Sequence, residues 1–436
     1  MTRVLAIQLR RSAALGTALL IVVGGAIVLQ ATAGRWSTGW MALVMTQREY
    51  LAVLSPIAMA AGAWHSYREH RAHVAELFAS VPRPRPRRIV PILVTTGLAV
   101  LVAYLVTLLA AAPRIAGTAR YLPPAAFAVV GVGLVAMIAS VWLGLAVGRL
   151  LPALATAPAL AVTGFVLLIL APHALSDDGL MAAFSPSMGM SRFSDYDTVS
   201  GGVSVAQALW MVAVAVAGVV LFAARSRKRA FAALLPLAIG ATATALVVPT
   251  GAAYARGTLD PVAQELVCTA DAPRVCVSRA HEGLLPQVTP KARHALRLLA
   301  TTSVVTAHED TTTLFPPTSP RSSADTALMT ITIDKHGHLA QPGRLEATML
   351  TAVFTGPVSC VDTQNFHVAT AAAYWLLNRE PTAGPDGLES DDPQAVKLWK
   401  GLKALPRAEA DARVTAVRQA ALKCQDTAGI LTRSAR

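Results

Sequence analysis

The chain has 436 residues, 54% hydrophobic and only 14% charged, with a formal net charge of +13. Soluble domains carry about 25% charged residues, and apolar stretches of 20 or more residues recur through the first 250 positions, the length that crosses about 30 Å of hydrocarbon; composition therefore speaks for a polytopic membrane protein. The charge excess does not call for nucleic acid, because 14 Lys/Arg against 2 acids sit in the N-terminal tail and in segments 65–88, 148–151 and 225–229, an alternation that is the positive-inside bias and needs no basic groove.

A basic tail with Arg3, Arg10 and Arg11 leads into a first expected span, Ala13–Ala33. Its Ala31-Thr32-Ala33 end also fits a signal-peptide cleavage site, but the apolar run exceeds the usual core of about 7–15 residues. A second span, Tyr50–Trp64, is short unless it begins near Met41 and takes Arg48–Glu49 into the outer leaflet, where neighbouring opposite charges snorkel.

The segment 65–88 follows, running Trp64-His-Ser-Tyr-Arg-Glu-His-Arg-Ala-His-Val-Ala-Glu-Leu-Phe-Ala-Ser-Val-Pro-Arg-Pro-Arg-Pro-Arg-Arg88 from the last residue of that span. Tyr67 to Ala79 has helical spacing, with Val74, Leu77 and Phe78 on one apolar stripe. Pro82, Pro84 and Pro86 then stop the helix and impose an extended rod. Two occupants for the stripe stay open. Anionic lipid suits Arg83 to Arg88, whereas a protein groove better suits Glu69 and Glu76, which a negative surface repels.

Five more spans are expected at Ile89–Ala112, Ala125–Val147, Pro152–Ala171, Val203–Ala224 and Ala230–Ala253. Seven spans with the basic segments inside place the N-terminus in and everything after about residue 254 out. The loop before the sixth span carries Met181, Met188 and Met190, a thioether set open to copper(I) but more commonly buried in an interfacial loop. It also carries Asp177, Asp178, Arg192, Asp195 and Asp197, read as a solvated rim or as part of a gate.

All four cysteines, Cys268, Cys276, Cys360 and Cys424, fall in the segment assigned outside, consistent with an oxidising compartment. Asp, Ala and Pro between the first two suit a tight turn, so the favoured pairing is 268–276 with 360–424; neither pair has the spacer of a zinc knuckle. In this segment Thr289-Pro290 reads as a helix start, Ala327 to Ile333 alternates as a strand before an Asp334-Lys-His-Gly337 turn, and Asp362–Leu377, Asp392–Leu405 and Arg407–Cys424 read as helices. The expected fold is a polytopic α-helical membrane domain, 1–253, followed by a disulfide-bearing α+β extracytoplasmic domain, 254–436.

The cores of the spans hold no Asp, Glu, Lys or Arg apart from Arg48–Glu49, which disfavours an ion-coupled carrier. No phosphate-cradling G-x-x-x-x-G-K-[ST] occurs, and Ser55 and Ser140 lack a His or Asp on a shared span, so neither ATP hydrolysis nor membrane proteolysis belongs to this chain. His281-Glu282 and His308-Glu309 are each followed by residues that spoil H-E-x-x-H. His336 and His338 beside Asp334 are more often solvated than metal-bound, so no metal, cofactor or catalytic residue is assigned.

The aromatic-ended helix, the Arg68-x-x-Arg71 pair and the run Glu76-Leu-Phe-Ala-Ser-Val-Pro-Arg-Pro84 resemble the first cytoplasmic loop of ABC-2-type permease subunits of bacterial ABC transporters. The basic tail, the hairpin-like third to sixth spans, the long outer loop and the missing nucleotide motif also match, over about residues 1–250. The seventh span and the external domain depart from the simplest family pattern.

The resemblance implies a coupling helix in Tyr67, Arg68, Glu69, Arg71, Val74, Glu76, Leu77 and Phe78 that docks into an ATPase subunit. It also implies an outer gate, with Phe184, Phe193 and Tyr196 as candidate anchors. The implied partners are ABC ATPase subunits carrying ATP and Mg, a second permease of the same or a sibling chain, and membrane lipid. The expectation is an exporter of an amphipathic or hydrophobic cargo (peptide, lipid or antibiotic) in the bacterial cell membrane. The competing expectation is an anchored receptor, sensor or assembly factor without transport.

Overall fold

The computed structural model describes residues 14–71, 86–174, 183–190, 192, 194–224, 226–248, 258–300, 302–312, 322–357, 360, 365–381 and 392–432. The chain is mostly helical and divides into two compact units. Unit one takes Met1–Ala116 and Leu122–Asp260; unit two takes Pro261–Arg436 together with Gly117–Tyr121.

Unit one is a helix bundle: α1 (Ala14–Ala31), α2 (Trp40–Glu49), α3 (Leu51–Arg71), α4 (Pro86–Ala111), α5 (Ala125–Leu150), α6 (Thr156–Ala174), α7 (Gly201–Ala223) and α8 (Leu234–Val247). Among the described residues five helical stretches, Ala14–Ala31, Ile89–Arg114, Ala125–Leu150, Gly201–Ala223 and Lys228–Val247, are long and apolar enough to cross a membrane. Two of the seven expected spans fall short of that measure. Helix α3 runs on through His65, Arg68, Glu69 and Arg71, which dilute its apolar character, and α6 counts as a shorter apolar helix over Thr156–Ile169 among the described residues. Tyr67–Arg71 thus prolongs α3 without a break, and the rest of the expected 67–79 helix lies outside the described residues.

The bundle is organised by a seam of small residues. A Cβ on Gly62 would strike the backbone of Val141 and Leu145, one on Gly144 the backbone of Met59, and one on Gly148 the backbone of Ala63. Because 59 meets 144 and 63 meets 148, α3 and α5 run parallel with their backbones almost touching. Ser66 Oγ then donates to Leu145 O at 2.8 Å. Trp142 Nε1 reaches Leu93 O of α4 at 3.0 Å, and Arg149 donates to Phe222 O of α7 at 2.7 Å. The apolar interior gathers Ile21, Leu51, Leu54, Val100, Tyr104 and Met137 from four helices.

Unit two is an α+β layer. Strands β3 (Leu266–Cys268), β4 (Val275–Ser278), β5 (Thr306–Glu309) and β6 (Thr326–Met329) form one sheet in that order, antiparallel then twice parallel. Helices α9 (Leu285–Leu298), α10 (Pro342–Thr355), α11 (Phe366–Leu376), α12 (Pro393–Lys403) and α13 (Arg407–Leu422) complete it. A single core joins Val275 and Val277 of the sheet to Val288, Leu296, Met349 and Val353 of the helices.

Both disulfides close, Cys268–Cys276 across the β3–β4 pair and Cys360–Cys424 over a separation of 64 residues. In the chain-entropy account a loop that long stabilises the fold by about 4 kcal/mol. Segment 117–121 belongs to this unit because the backbone of Thr118 lies where a Cβ on Gly283 would stand.

Several expected boundaries move. The helix expected at Thr289 begins at Leu285 with Pro286 in its first turn, and Thr289 Oγ1 donates back to Leu285 O at 2.6 Å as an interior residue. The expected 327–333 strand closes at Met329, and Ile333 instead bridges Leu339 across the Asp334–Gly337 turn. Helix α11 starts at Phe366 under an Asn365 cap, residues 361–364 lying outside the described set.

The seam gives a direct test. Gly144→Val must push α3 away, and such overpacking costs about 1–3 kcal/mol; the variant should melt earlier or aggregate on extraction. Gly131→Val, where a Cβ meets nothing within 4 Å, should behave as the parent on the same helix.

Candidate functional site

The most unusual group in unit one is Arg48. Expected to snorkel beside Glu49, it is instead fully enclosed at 0% exposure. The two charges part: Glu49 pairs with Arg35 at 2.7 Å, while Arg48 turns into the bundle. An uncompensated buried guanidinium is very costly, and here neutral dipoles receive it. Its Nε donates to Pro186 O at 3.0 Å, and a terminal nitrogen donates to Gln207 Oε1.

Gln207, at 0% exposure two turns into α7, relays the interaction. Its Nε2 donates to Ser185 O at 3.0 Å and to Met188 O at 3.2 Å. Three carbonyls of the short stretch 185–188 are therefore held by two side chains that enter from different helices. The neighbouring Gln47 Nε2 donates to Tyr104 O at 2.7 Å and to Thr107 Oγ1 at 2.8 Å, tying α2 to α4 in the same layer.

The loop before α7 is clamped at further points. Phe184 meets Trp210 of α7 edge to face, centroids 4.9 Å apart, a geometry that adds to simple burial. Met190 is buried with Met41, Met45 and Val203 in an apolar cluster. Arg192 donates to Arg35 O and to Thr38 Oγ1, the latter at 3.3 Å. Tyr196 is 5% exposed, and its carbonyl accepts from Asp260 N at 2.9 Å. Beside it, β1 (Asp197–Thr198) pairs antiparallel with β2 (Thr258–Leu259). The Asp197 carboxylate accepts from Ser194 N and Oγ at 2.9 and 3.0 Å, so it braces a turn.

Of the expected gate anchors, Phe184 and Tyr196 thus sit in the clamped loop, whereas Phe193, like Met181, Asp177 and Asp178, lies outside the described residues. Of the expected coupling residues, Tyr67, Arg68, Glu69 and Arg71 form the end of α3. Trp64 and Tyr67 have centroids 5.9 Å apart, and His65 lies 3.3 Å from Glu69. Val74, Glu76, Leu77 and Phe78 fall outside the described set.

In unit two the two His-Glu dipeptides meet crosswise. His281 Nδ1 lies 2.5 Å from Glu309 Oε1, both side chains 2% exposed, and the other Glu309 oxygen accepts from Ser278 N at 2.6 Å. Sealed from solvent, this pair fastens the turn after β4 to the end of β5. The Asp334 carboxylate accepts from the backbone of His336 and His338 at 2.8 and 3.0 Å. Burial is the largest single influence and pushes the Asp334 pKa up, but the two backbone bonds and the neighbouring imidazoles together hold it below the ordinary carboxylate value. Among the described residues no group of three or more His, Cys, Asp or Glu is arranged to hold a metal ion.

The clamp predicts an accessibility change. Ser187 is 6% exposed and the chain has no free cysteine, so Ser187→Cys supplies a unique thiol that should react slowly with maleimide. Arg48→Leu orphans buried acceptors at about 1–3 kcal/mol, and should raise that rate roughly tenfold or more; Gln207→Met should act in the same direction. An unchanged rate in both means that the loop is held by other contacts. Comparisons with protein-family models, curated proteins and solved structures find no match, so a functional reading rests on these residues alone.

Proposed function

We propose that the chain is the membrane-spanning subunit of an ATP-driven ABC exporter of the ABC-2 type, with seven spans, the N-terminus in the cytoplasm and unit two outside the cell membrane. One observation carries the reading. The C-terminal ends of α3, α5 and α7 meet, through Ser66 on Leu145 O and Arg149 on Phe222 O. Arg68, Arg71 and Arg149, with Lys228 and Arg229 soon after α7, therefore issue from one pole of the bundle. A common basic pole is what the positive-inside rule requires of a cytoplasmic face.

The two helices that fall short of the span measure fit this topology. Helices α2 and α3 act as one span interrupted at Tyr50, its charge hidden by the Arg48 contacts. Helix α6, with 19 residues, extends roughly 28 Å, close to the thickness of hydrocarbon. An ionisable group enclosed at membrane depth is a functional position by default; here it fastens the loop that would close the path at the opposite pole. The segment leaving α3 at the basic pole is where a partner ATPase would engage, and closure of two such partners would bias the bundle between its two facings.

The coupling stripe is testable apart from the topology. A docking helix places its apolar residues in a protein groove, so Leu77→Ala with Phe78→Ala should lose about 2 kcal/mol or more of ATPase binding if they are anchors. The ATPase should then fail to co-purify, and transport should stop, with the permease still inserted. Replacing Arg83, Arg85 and Arg87 by Gln should weaken the complex much less; on a lipid anchor the order reverses, each basic residue contributing about 1 kcal/mol. Retention of both ATPase and transport in the double alanine variant removes the coupling assignment.

A further inference from the structure

Unit two contains a cleft of 1210 Å³ between the first turn of α11, one face of α12 and the segment after α13. The face of α12 that it uses is continuous: Gln394, Lys397, Leu398 and Gly401 recur at helical spacing, and Leu405 follows just past the helix end. Leu398 and Leu405 pack against the core and Leu431 is 3% exposed, so the apolar floor is anchored. Phe366 stands over it at 42% exposure.

Two features of that face are not explained by folding. Glycine is the poorest helix former after proline, yet Gly401 lies inside α12, and a Cβ there would meet nothing within 4 Å. Close packing therefore does not demand it, and its effect is to keep the cleft wall low. Lys397 is the second. Lys400 pairs with Glu380 at 3.2 Å, and Lys403 bonds Asn378 and lies over Trp375 and Trp399. Lys397 has no such partner among the described residues, and it borders the cleft one turn before Gly401.

The walls are fixed in advance. His367 Nδ1 lies 2.8 Å from both oxygens of Asp392, which also caps α12 by accepting from Ala395 N at 2.9 Å. Arg413 holds Leu431 through its carbonyl at 2.8 Å and pairs with Glu409 at 2.5 Å. The Asp392 charge is thus engaged by His367, and among the described residues the ammonium of Lys397 is the open charge over an apolar floor.

The geometry points to a binding site for a small amphipathic anion, whose apolar body lies on Phe366, Leu398 and Leu431 and whose carboxylate or sulfonate pairs with Lys397. A cleft of this size accommodates a drug-sized molecule. The site is independent of the transport reading, since binding needs neither an ATPase nor a membrane orientation.

The test uses the full chain in lipid nanodiscs, titrated with 8-anilinonaphthalene-1-sulfonate after subtraction of empty nanodiscs. One saturable class of sites is expected, displaced by octanoate and not by octyltrimethylammonium. Lys397→Glu, a change at an exposed position, should weaken binding at least tenfold, and Gly401→Leu should fill the cleft and abolish it, with parental melting of Lys397→Glu confirming an intact fold. Absence of a saturable class overturns the proposal. So does equal displacement by both surfactants, or an affinity unchanged in Lys397→Glu.

Discussion

The near contact of two backbones along α3 and α5 is the constraint on which unit one is built. Gly62, Gly144 and Gly148 bring the helix axes together, and the small side chains leave dispersion between main-chain atoms as the attractive term. With the helices that close, Ser66 reaches a carbonyl of the neighbouring helix and both C-terminal ends are fixed at one level. Arg149 extends the same level to α7. A bundle of uncharged apolar helices has few other means of fixing its register.

At the other end, register comes from polar chemistry. Arg48 and Gln207 act as a two-residue relay that satisfies three carbonyls within the four residues 185–188, an economical answer to the problem of burying irregular main chain. The aromatic contact of Phe184 and the cluster around Met190 supply apolar burial to the same loop. Polar satisfaction and apolar burial thus act on the same few residues.

Much of this was legible in the sequence, and the misses have physical causes. Five long apolar helices, the Cys268–Cys276 turn and the Asp392 start of α12 are written locally, in runs of apolar residues, in Asp-Ala-Pro and in Asp-Pro. Helix α10 carries an apolar stripe in Leu345, Met349, Leu350 and Val353, but it lacks the side-chain cap that marks the start of α11 and of α12. Thr289-Pro290 had a true cap signature, overridden because Pro286 four residues earlier suits the first turn as well. The Arg48 relay and the His281–Glu309 pair could not be read at all, since their partners are 159 and 28 residues apart and no local period encodes such a meeting. The expected snorkelling of Arg48 beside Glu49 failed for a different reason: adjacent residues project in different directions from a helix, so Glu49 meets Arg35 while Arg48 turns inward.

The membership of Gly117–Tyr121 in unit two carries a consequence for biosynthesis. These five residues emerge from the ribosome about 140 positions before the body of the unit they complete. The polypeptide after Pro261 must therefore fold around a peptide made long before it and held between two helices of the other unit. Contacts of such wide sequence separation form late and slowly. A soluble fragment beginning near residue 261 would lack the Thr118 backbone against Gly283 and would expose the turn that His281 fastens. Completion of unit two is thereby made conditional on correct placement of the hairpin that carries Gly117–Tyr121, so that a chain with a misplaced hairpin is left with an incomplete domain open to proteolytic clearance.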